Sequence, residues 1–139
     1  MTKSALNIAA LERAVSSARH GAVCSFVGTV RSVHAGRLVK AVSYDCFVPL
    51  AEKELSRIVA RAESRWPVRV AVSHRVGRLK VGAASVAIAA GSGHRVEAFA
   101  ACRFVIEEIK RRLPVWKKEH YRRGDGRWLS GCALRKRAA

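Results

Sequence analysis

Apolar residues return along this chain with two different periods, and the switches between them divide it into elements. After Asn7, a residue suited to cap a helix, Ile8, Leu11, Val15 and Ala18 recur at helical spacing, and Gly21 stands where such a helix would stop. From Ala22 to Val33 the chain reads AVCSFVGTVRSV, and from Leu38 to Phe47 LVKAVSYDCF, both rich in β-branched and aromatic residues. HAGR between them supplies a turn, so the pattern predicts a hairpin. Pro49 suits a first helical turn, and Ala51, Leu55, Ile58, Val59, Ala62 and Trp66 then fall on one stripe, predicting a second helix that Pro67 ends. Two more strands are predicted, VRVAVSHRV at 68–76 and ASVAIAAG at 84–91, separated by the glycine-flanked GRLKVG. A third helix is predicted from about His94 to Arg112, with Phe99, Cys102, Ile106, Ile109 and Leu113 facing the core and Glu107, Glu108, Arg111 and Arg112 facing away. The order αββαββα predicts an α+β domain with antiparallel strands and three helices.

Composition narrows the class. With 139 residues, half of them apolar, the chain is expected to form a single domain, 1–139, around one core. It contains no run of about eighteen uncharged apolar residues, and its first residues lack a long apolar stretch with a cleavage site, so a cytoplasmic protein with no membrane partner is expected. Cys24, Cys46, Cys102 and Cys132 are widely separated, with no CxxC pair, so structural zinc is not expected. The first three fall in strand-like or helical segments, where a free cysteine behaves as a small hydrophobe; a redox or persulfide role would need a cationic neighbour or a helix N-terminus.

The charge balance changes the picture more. Lys and Arg number 27 against 10 Asp and Glu, a formal +17 that draws phosphates, polyanions and acidic protein surfaces. Only the end, 133–139 with Arg135, Lys136 and Arg137, reads as a loose basic tail expected to fray. A nucleic-acid-binding domain is one alternative, but no zinc finger or aromatic-rich RNA-binding run supports it, and aromatics are 6% of residues.

Three stretches could carry chemistry. GSGHR at 91–95 ends an apolar strand in glycines and runs into a helix, so it is either an ordinary glycine turn with an exposed arginine or a cradle of backbone N–H groups for a phosphate, with His94 and Arg95 as further donors. GTVR at 28–31 places a glycine inside a strand pattern, which suggests a bulge or a close backbone approach. Its Arg31 is either a surface residue or a fork for a carboxylate or phosphate. In IKRRLPVWKKE, Lys110 precedes Pro114 and Lys117 follows it. Leu113, before the proline, is pushed out of helical backbone, so the chain must turn there and can bring Lys117 back toward Lys110, with Trp116 pinning the turn by burial. Two ammonium groups sharing a partly desolvated site each disfavour the other's charge, which frees an amine as base or nucleophile. Lysines also favour helix C-termini for macrodipole reasons alone.

Taken together, GTVR at 28–31, Tyr44 with LAEKEL at 50–55, RWP at 65–67, HRVG at 74–77, GSGHR and PVWKKE at 114–119 resemble the catalytic (large) subunit of molybdopterin synthase, from about Gly21 to Trp128. The resemblance implies an α+β fold with a hammerhead-like β subdomain. It implies a sulfurtransferase that converts cyclic pyranopterin monophosphate to molybdopterin, taking sulfur from the thiocarboxylated Gly-Gly end of a small ubiquitin-like carrier subunit. It implies a homodimer flanked by two carriers, a heterotetramer, with no resident metal or cofactor. Lys110 and Lys117 match the family's catalytic lysines. Thr29, Val30 and Arg31 match one substrate-binding segment and His94 with Arg95 another, and Lys118 and Glu119 extend the site beside Lys117. The chain departs from the family's usual residues at Asp45, Phe47 and Leu50, and at Gly93, where a bulkier side chain is usual. A non-catalytic scaffold that retains the carrier-binding surface is the second alternative.

Overall fold

Two antiparallel sheets divide the strands, and the chain crosses between them at the segment that the sequence reads as one long strand. The computed structural model describes residues 1–124 and 126–129. Along them run α1 (Ile8–Val15), β1 (Ala22–Thr29), β2 (Val33–His34), β3 (Arg37–Cys46), α2 (Val48–Arg65), β4 (Val68–His74), β5 (Gly77–Lys80), β6 (Ala84–Ser92), α3 (Arg95–Arg112), β7 (Val115–Tyr121) and β8 (Arg127–Leu129). The first sheet has the order β1-β6-β4. The second runs β2-β3-β7-β8, with β5 also paired to β3. It is an α+β architecture with three helices and antiparallel strands, as the residue pattern predicts.

In the first sheet β6 is central, and its residues from Ser85 to Ser92 are all buried. Its alternating side chains serve two layers. Val86, Ile88 and Ala90 join Ala101, Cys102, Val105 and Ile109 of α3, together with Leu55 and Ile58 of α2, in the main core. Gly91 points the other way, onto α1: a Cβ there would lie 2.1 Å from the Val15 carbonyl oxygen, so only glycine lets helix and strand approach this closely. Helix α1 is capped as expected, with the Asn7 Oδ1 accepting from the Ala10 N–H at 3.0 Å.

Several elements differ from expectation. Helix α1 ends at Val15, so Ala18 is an exposed turn residue. The predicted hairpin of 22–33 with 38–47 shrinks to two residue pairs, Val33 with Leu38 and His34 with Arg37. Strand β1 pairs instead with β6 in the other sheet. GRLKVG is more than a turn, because its GRLK forms β5 along β3 and buries Leu79. The residues after Pro114, expected as a turn, form β7 and β8. On α3 the packed face is Ala98, Ala101, Cys102, Val105, Glu108 and Ile109, while Phe99 is 63% exposed. Small side chains let the helix lie close to an alanine-rich β6, and the larger Phe99 is displaced to the outside.

Glu108, expected on the outer face, is buried because three guanidinium groups close over it. Arg61 of α2 donates to Oε2 at 2.6 Å, Arg112 donates at 2.7 Å, and Arg111 donates to Oε1. Burial by itself pushes this carboxyl up; the hydrogen bond from Arg112 and the charges of Arg111, Arg112 and Arg61 bring it net below the usual carboxylate range. The tail at 133–139 and Cys132 lie outside the described residues.

Cys102 illustrates the hydrophobe reading of the cysteines. Burial first, then the adjacent Cys24, push its thiol up to about 12. At pH 8 the thiolate fraction is then about one in ten thousand, too low for attack on an alkylating reagent. In the native protein Cys102 is therefore expected to resist iodoacetamide at pH 8 and to react fully in guanidinium, as read by peptide mass mapping. Native labelling at the unfolded rate would contradict this assignment.

Candidate active site

A cavity of about 450 Å³ opens where the second sheet meets the C-terminal end of α3 and the far end of β1. Three segments bring charged groups to it, each for a local reason.

The first is the crossing segment after β1. The pairing of β1 with β6 slips between Gly28 and Thr29, a bulge of the kind the strand glycine predicts. A Cβ on Gly28 would lie 2.8 Å from Val86, so this is also a point of close approach. Val30 is then fastened from both sides: its N–H donates to the Ala83 carbonyl at 3.0 Å, and its carbonyl accepts from Gly82 at 2.7 Å. Val30 is buried and its exposed neighbour Arg31 joins it in the cavity wall with Thr29.

The second and third segments flank Pro114. Lys110 sits in the last turn of α3, whose final carbonyls favour a cation. Leu113 is extended, with φ −65 and ψ 121, as a residue before proline must be. The chain reverses into β7, which runs back along β3 with Lys117 opposite Tyr44 and Glu119 opposite Val42. Period-two alternation puts Val115, Lys117 and Glu119 on the cavity side. Trp116 faces outward and is 44% exposed, so the redirection rests on Pro114 and β-pairing, not on burial of the tryptophan.

Thr29, Val30, Arg31, Lys110, Lys117 and Glu119 thus line one cavity. Lys118 does not: it points to the other face of β7, with its ammonium 5.6 Å from the Trp128 ring. His94 and Arg95 are exposed at the start of α3, His94 occupying the N-cap position without a capping side-chain hydrogen bond. From Arg95 to Lys110 the helix rises about 22 Å, so both ends cannot serve one small cavity of one protomer.

Glu119 alters the two-lysine picture. Its residue is 1% exposed, and its carboxylate has three partners. Lys117 Nζ lies 2.7 Å from Oε1, and His34 Nδ1 and the Tyr121 hydroxyl donate to Oε2 at 2.7 and 2.8 Å. Burial opposes its charge, but hydrogen bonds from Lys117, Tyr121 and His34, with the Lys117 charge, hold the carboxyl net below its usual range. The cavity therefore carries a carboxylate-bound ammonium on Lys117, with Lys110 and Arg31 around it. Apolar side chains of Phe26, Val86, Ile106, Ile109 and Leu113 complete the lining. Such a hollow accepts an anion with an organic body and strengthens every charge contact made in it.

Sequence reasoning did not single out His74 or His34 as site residues. His74 is 6% exposed, lines the cavity and meets the Tyr44 ring edge-on at 5.5 Å. Burial pushes its imidazole below the usual value, and its Nδ1–H donates to the Arg75 carbonyl at 3.0 Å, which leaves Nε2 as an acceptor. A histidine in an alternating strand, opposite Val86 in β6, was the available signal.

The arrangement defines a class, an α+β protein with a lysine-bearing pocket beside a β subdomain. Its relatives make the class specific. The family model described as "MoaE protein" matches residues 1–112. The molybdopterin synthase catalytic subunit of Synechococcus elongatus is 48% identical over 118 residues, covering 84% of this chain and 72% of that one. The crystal structure of molybdopterin synthase from Staphylococcus aureus superposes with a TM-score of 0.89 at 31% identity, covering 93% of this chain and 94% of that one. A chain in the complex of subunits 1 and 2 of molybdopterin-converting factor from Helicobacter pylori shares the fold, with a TM-score of 0.65 at 23% identity over 77% of this chain and 70% of that one. The chain belongs to the MoaE family, the catalytic subunits of molybdopterin synthase, and with it to the enzymes of molybdenum cofactor biosynthesis. Among the described residues no helix is long and apolar enough to cross a membrane.

Proposed function

We propose that this chain performs the sulfur-transfer step of that synthesis, installing two dithiolene sulfurs in cyclic pyranopterin monophosphate from the thiocarboxylated Gly-Gly end of a small carrier subunit. The observation that carries the reading is the convergence of Arg31, Lys110 and Lys117 on one cavity whose lining is otherwise largely apolar. Both reactants are anions, one a cyclic phosphate and the other a thiocarboxylate, and negative charge develops further as the acyl carbon is attacked. Cations already gathered around the hollow stabilise that charge as it develops. In this reading Arg31 holds the phosphate, in the segment that Thr29 and Val30 bring to the cavity wall. Lys110 orients the thiocarboxylate, and Lys117 acts as acid, base or transient amine.

His94 and Arg95 enter the same scheme from a second copy of the chain. They lie a helix length from Lys110, and the apolar Val96 and Phe99 beside them are 68% and 63% exposed, which suits a protomer contact there. Lys118, on the outer face of β7, belongs to the rim that meets the carrier. The Helicobacter pylori chain of the same fold was solved as a complex of two subunits, and a homodimer flanked by two carriers is the assembly this reading uses. The reaction is placed in the cytoplasm.

Purified protein mixed with thiocarboxylated carrier and cyclic pyranopterin monophosphate is expected to yield the dithiolene product, detected by mass spectrometry. Capture of the carrier with no product would leave a scaffold and refute the enzymatic assignment.

A further inference from the structure

Glu119 holds Lys117 with one oxygen only, so what fixes its other oxygen also fixes the lysine. Oε1 receives the Lys117 ammonium, and Oε2 receives both the Tyr121 hydroxyl and His34 Nδ1. Tyr121 follows Glu119 on the same strand. His34 comes from elsewhere in the chain, 85 residues away. It stands three residues beyond Arg31, in the two-residue strand β2, where a tight turn through Ala35 (φ 47) and Gly36 (φ 74) sets its register against Arg37. The same short segment therefore presents one cation to the cavity and clamps the carboxylate that aims another.

We infer that His34 is a positioning residue for Lys117, acting through Glu119. Without its donor the carboxylate keeps one bond on Oε2 and regains freedom to turn about its terminal torsion, and the Lys117 ammonium turns with it. The donor is required whether the imidazole is neutral or protonated, because in both forms Nδ1 can carry hydrogen. His34 is thus a hydrogen-bond donor and not a proton shuttle. Its side chain is 30% exposed, and it is not among the residues lining the cavity, so it touches neither reactant directly.

The inference rests on the catalytic role proposed for Lys117, and the test separates the two. Wild type, His34→Ala, His34→Asn and Lys117→Ala are compared with thiocarboxylated carrier and cyclic pyranopterin monophosphate, after thermal unfolding has confirmed that each is folded. The asparagine amide places an N–H near the position of Nδ1 but cannot titrate. His34→Ala is expected to lower kcat about tenfold, with KM for the pyranopterin and affinity for the carrier unchanged. His34→Asn is expected to restore most of the rate with the wild-type pH profile. An unchanged kcat in His34→Ala, a change confined to KM, or His34→Asn as slow as His34→Ala overturns the positioning role. Normal turnover by Lys117→Ala overturns the underlying reading instead.

Discussion

Lys117→Ala is expected to cut dithiolene formation by about a thousandfold or more while leaving a folded protein that still captures the carrier. Removing one preorganised group that meets developing charge costs roughly 10²- to 10³-fold in rate, and a group that also exchanges a proton or forms a transient bond costs more. The surroundings make a compensating side chain improbable. Lys118 faces the other side of β7, and Lys110 enters from α3, across the break at Pro114. Stability should fall as well, by roughly 3 kcal/mol, because the buried Glu119 carboxylate loses its cation and keeps only the hydrogen bonds of Tyr121 and His34. Lys117→Arg divides the possible roles further. Arginine preserves the charge and the contact to Glu119 but does not deprotonate in proteins. A variant with near-normal rates would show that Lys117 serves as a fixed cation, and an inactive one that it serves as a proton donor or nucleophile. Quantifying product by mass spectrometry, with carrier binding measured separately, checks both. Turnover by Lys117→Ala within tenfold of wild type would remove the mechanism.

How much of this could be read from the residues depended on how far each element obeyed its own period. Helix α2 buries Ala51, Leu55, Ile58 and Ala62, the larger part of the stripe seen in the sequence, because nothing functional interrupts its face. Strand β7 was unreadable for the opposite reason. Its inward positions carry Lys117 and Glu119, charges that a half-buried strand should not hold, so the alternation that marks a strand is erased by the site itself. The crossing at Val30 was hidden because AVCSFVGTVRSV is rich in β-branched and apolar residues over its whole length, and periodicity cannot show that a run leaves one sheet and joins another. On α3 Cys102, Ile109 and Leu113 are buried and Ile106 packs against the core as the stripe implies, but Phe99 lies outside. The packed face also uses Ala98 and Ala101, small side chains that count little in a hydrophobic sum and much in close packing. Of the site, the three stretches flanking Gly28, Pro114 and Gly91 were visible as motifs. Their spatial grouping was visible only for the first two, which line one cavity, and the third sits a helix length away. His34 could not be found from spacing, because its partner is 85 residues distant.

Glu119→Gln is expected to damage both activity and stability, for one geometric reason. The carboxylate accepts from three donors on two oxygens, and an amide has only one oxygen. If that oxygen faces Lys117, the NH2 confronts Tyr121 and His34; if it faces them, the NH2 confronts the ammonium. The first orientation forces Tyr121 and His34 to turn from donors into acceptors, the second sets the NH2 against the ammonium, and in both Lys117 loses its counter-charge. Rearranging these bonds and losing the counter-charge beside a partly exposed lysine costs about 2 kcal/mol, or roughly 6 °C in Tm for a domain of this length. Lys117 loses its anchor at the same time, so kcat should drop by about a hundredfold. The acid response gives a separate check, whose sign follows from the direction of the shift. In the fold Glu119 stays below its ordinary value of 4.5, so the unfolded chain binds its proton first as the pH falls. Its contribution is complete above that ordinary value and is lost as the pH drops through the lower folded one. Urea unfolding at pH 7 and pH 3 should therefore show the wild type losing more stability on acidification than Glu119→Gln. Glu108, similarly depressed by its three arginines, contributes equally to both proteins and cancels in the comparison. Equal acid losses in the two would mean that Glu119 is not held ionised by Lys117, Tyr121 and His34, and the anchoring of the lysine would have to be sought elsewhere.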